Sequence, residues 1–109
     1  MRSFDLGNLI SQQAGSNRAY LEFLRAPDLS MGLYVLPAGA RDPQNPHSED
    51  EVYYVVSGRA TIHVGAEQQK VGPGSLVYVP KHVEHRFHSI EEELQVLVFF
   101  APAEYSQGA

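Results

Sequence analysis

GARDPQNPHSEDEVYYVVSG, residues 39–58, decides how the rest of the chain is read. It sets His47 and Glu51 four residues apart, puts Asn45 two before the histidine, and runs through Glu51-Val52-Tyr53-Tyr54-Val55-Val56 into Ser57-Gly58. Alternate side chains of a strand leave opposite faces, so Asn45, His47, Glu51, Tyr53 and Val55 are expected on one face. Fully extended, the chain from His47 to Glu51 would span about 13 Å. Nitrogen and oxygen donors sit only about 2.0–2.2 Å from a shared ion, so a bend or bulge over residues 48–50 is expected if the two side chains are to meet. A second stretch supplies a partner. Residues 74–85, GSLVYVPKHVEH, read as a short apolar strand entered through Gly72-Pro73-Gly74 and left through Pro80, with His85 five residues beyond. Together the two stretches form a split set of two imidazoles and one carboxylate.

These stretches resemble the cupin superfamily. Its first motif is a glycine, five residues, His-x-His, three or four residues, Glu, six residues and a glycine; Gly39, Asn45, His47, Glu51 and Gly58 fall on that frame, with Asn45 where the first histidine belongs. The second motif is Gly, five residues, Pro-x-Gly, two residues, His, three residues, Asn. Gly74, Pro80 and His85 meet it, while His82 replaces the glycine and Ser89 the asparagine. The resemblance implies a small single-domain cupin of the RmlC-like kind: an all-β, double-stranded β-helix (jelly-roll) barrel. It further implies a divalent transition metal, Fe, Mn, Ni, Co or Zn, held by His47, Glu51 and His85. Asn45 is a further candidate ligand; its side-chain carbonyl is a neutral, weaker donor than imidazole. Two imidazoles and a carboxylate form the facial set that leaves positions open on an octahedral ion.

Composition narrows the classes. The 109 residues, 43% hydrophobic, are enough for one domain with one core. The expected organisation is a segment over 1–17, a barrel over 18–103 and a tail over 104–109. With no cysteine there is neither a disulfide framework nor a thiolate site, and any metal must be held by nitrogen and oxygen. The net charge of −5 is spread along the chain with no basic cluster, which argues against nucleic acid as a partner. No run reaches the roughly 18 apolar residues of a membrane span, and Met1 to Asp5 carry no apolar signal segment. A cytoplasmic protein that meets no membrane is expected.

Along the chain, Phe4, Leu6, Leu9 and Ile10 predict a short docking helix within residues 3–14, capped by Ser3 or Asp5. Strands are expected at 18–25, 29–36, 51–57, 60–64, 68–71, 76–79, 86–90 and 94–101, with turns at Ser57-Gly58, at Gly65-Ala66-Glu67 and at the acidic run Glu91-Glu92-Glu93. Many short strands and almost no helix indicate an antiparallel sandwich or barrel. Residues 94–100 are apolar on both parities apart from Gln95. Their outer face should therefore meet either a second subunit, which makes a homodimer the simplest expectation, or a covering N-terminal segment.

Tyr53, two residues past Glu51, is expected in the lumen, where its hydroxyl can reach a ligand or a metal-bound water; Phe87 is expected to line the same lumen. Glu49 is read as a solvated acid, and His63, His82 and His88 as surface residues, with some backbone strain at His82. The expected activity is that of a metal-dependent enzyme on a small organic substrate, with dioxygenase-type oxidation favoured. A non-catalytic module binding a sugar or an acid is the alternative, as is isomerase, decarboxylase or lyase chemistry at the same site.

Overall fold

A computed structural model describes residues 1–106. The chain opens with α1, Leu6–Ala14. Asp5 caps it, its carboxylate accepting the Asn8 N–H at 3.0 Å, which satisfies one of the four amides a helix start leaves without a partner. The helix buries Leu9 against Leu33 and Val35, with Ile10, Phe23 and Leu97 packed around them.

Six strands follow among the described residues: β1 Tyr20–Ala26, β2 Leu29–Leu36, β3 Asp50–Val64, β4 Glu67–Val71, β5 Leu76–Val79 and β6 His85–Ala101. Every pairing is antiparallel. The sheet runs in the order β1-β2-β6-β3-β4, and β5 pairs with the first part of β3. The fold is the expected all-β jelly roll with one short N-terminal helix.

Two expected turns are absent. Ser57-Gly58 and Glu91-Glu92-Glu93 lie inside the unbroken strands β3 and β6, which pair with each other through register shifts between Val55 and Thr61. These are bulges, which insert residues into a ladder and bend it without ending it. Gly58, at φ +94°, makes the bend: a Cβ there would lie 2.2 Å from the Glu93 carbonyl oxygen. The acidic run reads as a turn because three consecutive acids interrupt the apolar pattern; their side chains are exposed, but the backbone still pairs, Glu92 with Arg59.

The bulges also switch the inward-facing parity. On β3 the buried residues are Glu51, Tyr53 and Val55 before the bend, then Ala60 and Ile62 after it. On β6 they are His85 and Phe87, then Ile90, Leu94, Val96, Val98 and Phe100, and the switch falls at Ser89, whose φ is +51°. One lumen thus collects apolar residues from both halves of both strands. Fully burying a side chain of the size of Val or Phe is worth about 1.5–3 kcal/mol, so the lumen is the main source of stability. The outer face of β6 carries Leu97, and within this chain it is the N-terminal helix cluster that packs against it.

Candidate metal centre

Glu51 sits near the start of β3, and His85 opens β6. In the β3–β6 ladder Glu51 is opposite Phe100, whereas His85 is opposite Val64. The ribbon curls so far that these distant points meet: His85 Nε2 lies 3.1 Å from Glu51 Oε1. His47 comes from the loop before β3, where the chain bends at residues 48–49, and its Nδ1 lies 3.5 Å from the same Glu51 oxygen. One donor atom from each of His47, Glu51 and His85 lies within 4.8 Å of the others. The expected bend therefore closes the gap, and the three residues converge.

The donors fit a cation. Both Glu51 carboxylate oxygens, His47 Nδ1 and His85 Nε2 are buried and, among the described residues, make no hydrogen bond. Buried polar atoms left so are costly, and two imidazole nitrogens and a carboxylate gathered in this way are donors that suit a divalent cation. The other nitrogen of His85, Nδ1, faces the Val83 carbonyl at 2.9 Å. A carbonyl only accepts, so Nδ1 carries a proton, and in the neutral ring it is Nε2 that presents its lone pair toward Glu51. Burial pulls the His85 pKa down, but Glu51 and the Val83 carbonyl outweigh it, and the net direction is up.

His47 is held from several sides. Its carbonyl accepts the His82 N–H at 2.6 Å, its ring centroid stands 4.8 Å from that of Phe100, and its Nε2 lies 3.2 Å from Glu104 Oε2. A cavity of about 380 Å³ opens beside it, lined by Tyr20, Tyr34, Gln44, Asn45, Glu104 and Tyr105 among others. Gly32 leaves room for the Tyr20 ring, because a Cβ there would lie 2.1 Å from it. Burial first, and then the charges of Glu104, Glu22 and Glu51, raise the Tyr20 phenol far above its ordinary range, so it remains a hydrogen-bond donor at neutral pH.

The other expectations divide. Tyr53 is fully buried in the lumen, and its hydroxyl donates to Gln44 Oε1 at 3.0 Å; Phe87 packs beside it, ring centroids 4.9 Å apart. Asn45 is exposed on the cavity wall. His82 is exposed and strained, at φ +68°. His63 and His88 are half-buried and lie away from the centre, on the Gly65 carbonyl and on Gln68. Glu49 corrects the reading of a solvated acid: it is 1% exposed and accepts from Ser48 Oγ at 2.6 Å. Glu49 shares its parity with Glu51, and the bend at residues 48–49, the reason to expect it in solvent, does not turn it out of the interior.

Asp42 and Glu104 were not foreseen. Asp42 is buried and accepts from the Tyr34 hydroxyl at 2.7 Å and from the Phe87 N–H and Gln44 Nε2 at 2.8 Å each. It pins the loop that forms one lip of the cavity. The one local signal was an acid directly before Pro43 in a loop without apolar period. Glu104 had none, since a lone acid between Ala103 and Tyr105 reads as a tail.

A closed antiparallel roll with two imidazoles and a carboxylate converging inside defines the class. Residues 32–101 match the family model described as Cupin domain, and the chain belongs to that family. An uncharacterised protein of Streptomyces coelicolor is 54% identical over 104 residues, 95% of this chain and 99% of that one. Among solved structures, TT1209 of Thermus thermophilus superposes with a TM-score of 0.77 at 25% identity, covering 94% of this chain and 99% of the other. The DMSP lyase DddQ of Ruegeria pomeroyi DSS-3 has a TM-score of 0.71 at 20% identity, covering 88% of this chain and 55% of that one; at that identity the likeness is one of fold alone.

Proposed function

We propose that this cupin binds one divalent transition metal through His47, Glu51 and His85 and uses it on a small organic substrate held in the adjacent cavity. The observation that carries the reading is the set of buried donor atoms from three residues on two separate segments, one from each lying within 4.8 Å of the others and without a hydrogen bond among the described residues. The donor set suits Fe, Mn, Co, Ni or Zn. Bound there, such an ion supplies Lewis acidity and, if redox-active, the electron transfer that O2-dependent oxidation requires. Dioxygenase-type oxidation is the reaction we favour.

The protein's own residues do the rest. Asp42 fixes the loop that carries Gln44 and Asn45, and Tyr53 acts on the cavity through its bond to Gln44. Tyr20, Tyr34 and Tyr105 offer rings and hydroxyls to a ligand of mixed polar and apolar surface. Asn45, exposed on the cavity wall, would serve as a contact for the ligand, its side-chain carbonyl being a weaker metal donor than imidazole. Tyr54, Leu76 and Tyr78 are exposed on paired positions of β3 and β5, which supports association of two chains across that face.

The test is metal analysis of protein purified without a chelating tag, followed by O2 uptake of the iron-loaded form over a panel of small acids and phenols. About one equivalent of metal is expected, lost in His47→Ala and His85→Ala. Metal-free protein that takes up none of these ions would sink the reading. Metal binding without O2 uptake would move it to the isomerase, decarboxylase or lyase alternatives. A monomeric mass by light scattering on the same sample would remove the dimer.

A further inference from the structure

We propose that Glu104 is a positioning residue of this centre: its carboxylate accepts the Nε2–H of His47, so that the Nδ1 lone pair of that ring faces Glu51 and His85. The inference rests on the metal-binding reading above. It adds a residue three positions beyond the stretch that matches the family model.

A neutral imidazole carries its proton on one nitrogen and a lone pair on the other. On His85 the choice is made by the Val83 carbonyl at Nδ1. His47 has the opposite arrangement, with Nδ1 in the donor cluster, 3.5 Å from Glu51 Oε1, and Nε2 turned away from it, 3.2 Å from Glu104 Oε2. An ion held by Nδ1 leaves the proton on Nε2, and Glu104 is the group placed to receive it. Imidazoles that bind metals commonly give their second N–H to a carboxylate or carbonyl, which fixes the ring and makes it a better donor.

The carboxylate is held in place by the backbone. The Glu104 N–H donates to the buried Ser30 Oγ at 2.9 Å, and Arg25 Nη2 donates to the Glu104 carbonyl at 2.7 Å. Both contacts use main-chain atoms of Glu104, so the segment stays clamped when its side chain is changed. Phe100 flanks the His47 ring and limits its rotation.

The experiment titrates Co(II) into the metal-free protein against a competing chelator and reads affinity and the visible absorption bands in the same sample. Wild type, Glu104→Gln and Glu104→Ala are compared, and unfolding of each metal-free variant checks that it is folded. Glu104→Ala should weaken Co(II) binding by about 10–100-fold with band shape unchanged. Glu104→Gln, whose side-chain carbonyl still accepts the N–H, should keep most of the affinity. If the alanine variant does not fold, Glu104→Leu, which keeps more of the buried volume, replaces it. Wild-type affinity in Glu104→Ala would overturn the proposal, as would an altered band shape, which marks a directly bound carboxylate. A glutamine variant as weak as the alanine one would also overturn it, because charge would then matter and not acceptance. Wild-type protein that binds no Co(II) would remove the underlying reading as well, so the two failures are distinguishable.

Discussion

His82 has φ +68°, a left-handed backbone that costs a residue with a Cβ about 1–2 kcal/mol. The conformation is needed, because the His82 N–H holds the His47 carbonyl at 2.6 Å and so steadies the loop that carries a candidate ligand. The imidazole is not needed for that, since it is exposed. Glycine adopts this backbone freely but also gains freedom in the unfolded chain, which offsets part of the relief. His82→Gly should therefore raise the unfolding free energy by about 0.5–1 kcal/mol, measured by chemical denaturation of the metal-free protein. A lowered midpoint would show that the ring makes contacts that outweigh the strain. Ser89, at φ +51°, also bears a Cβ in the left-handed region, and it lies where β6 changes its inward parity.

Among the elements, β3 and β6 decide the outcome, and their function lies in how they bend. Unbent, each would keep one parity inward and place half of its apolar residues outside. The bends at Gly58 and Ser89 put both halves inside, so the pair can wall two sides of one lumen. Gly58 is the tighter point, with the Glu93 carbonyl oxygen 2.2 Å from where a Cβ would stand. That contact is backbone and cannot swing away. Gly58→Ala should cost at least about 2 kcal/mol, from strain and overpacking together, read as a drop in thermal midpoint or as insoluble protein. Stability equal to wild type would mean that the two strands can part at the bend without loss.

For the whole molecule, the decisive event is the closing of the β3–β6 ribbon on itself. Glu51 and Val64, the partner of His85 in the ladder, are thirteen residues apart, a separation of about 40 Å in a flat strand. In the folded chain the Glu51 and His85 side chains touch. An ion held by His47, Glu51 and His85 would therefore tie together segments brought near only by the roll, and would bind the folded chain in preference to the unfolded one. Metal at 100 times its dissociation constant should raise the unfolding free energy by about 2.7 kcal/mol. Scanning calorimetry with and without the ion checks this, and the gain should vanish in His85→Ala. An equal gain in that variant would place the ion elsewhere.

Consecutive residues alone tell that the chain is built of strands, where most of them begin and end, which residue types stand ready to hold a metal, and that thiolate is not among them. Those properties are local: alternation, turn residues and side-chain chemistry are all written in consecutive positions. The sequence also places Glu51, Tyr53 and Phe87 on an inward face, since parity holds along any regular strand. Parity fails at a bulge, and so the turns at residues 57–58 and 91–93 came out as bends, whereas the bend at residues 48–49 left Glu49 on the inward side that its parity with Glu51 indicates. The position of Asp42 beneath the loop and of Glu104 beside His47 emerges only once the chain is folded. Each depends on contacts between residues some 45–75 positions apart, Asp42 with Phe87 and Glu104 with Ser30, and no spacing within either segment carries that information.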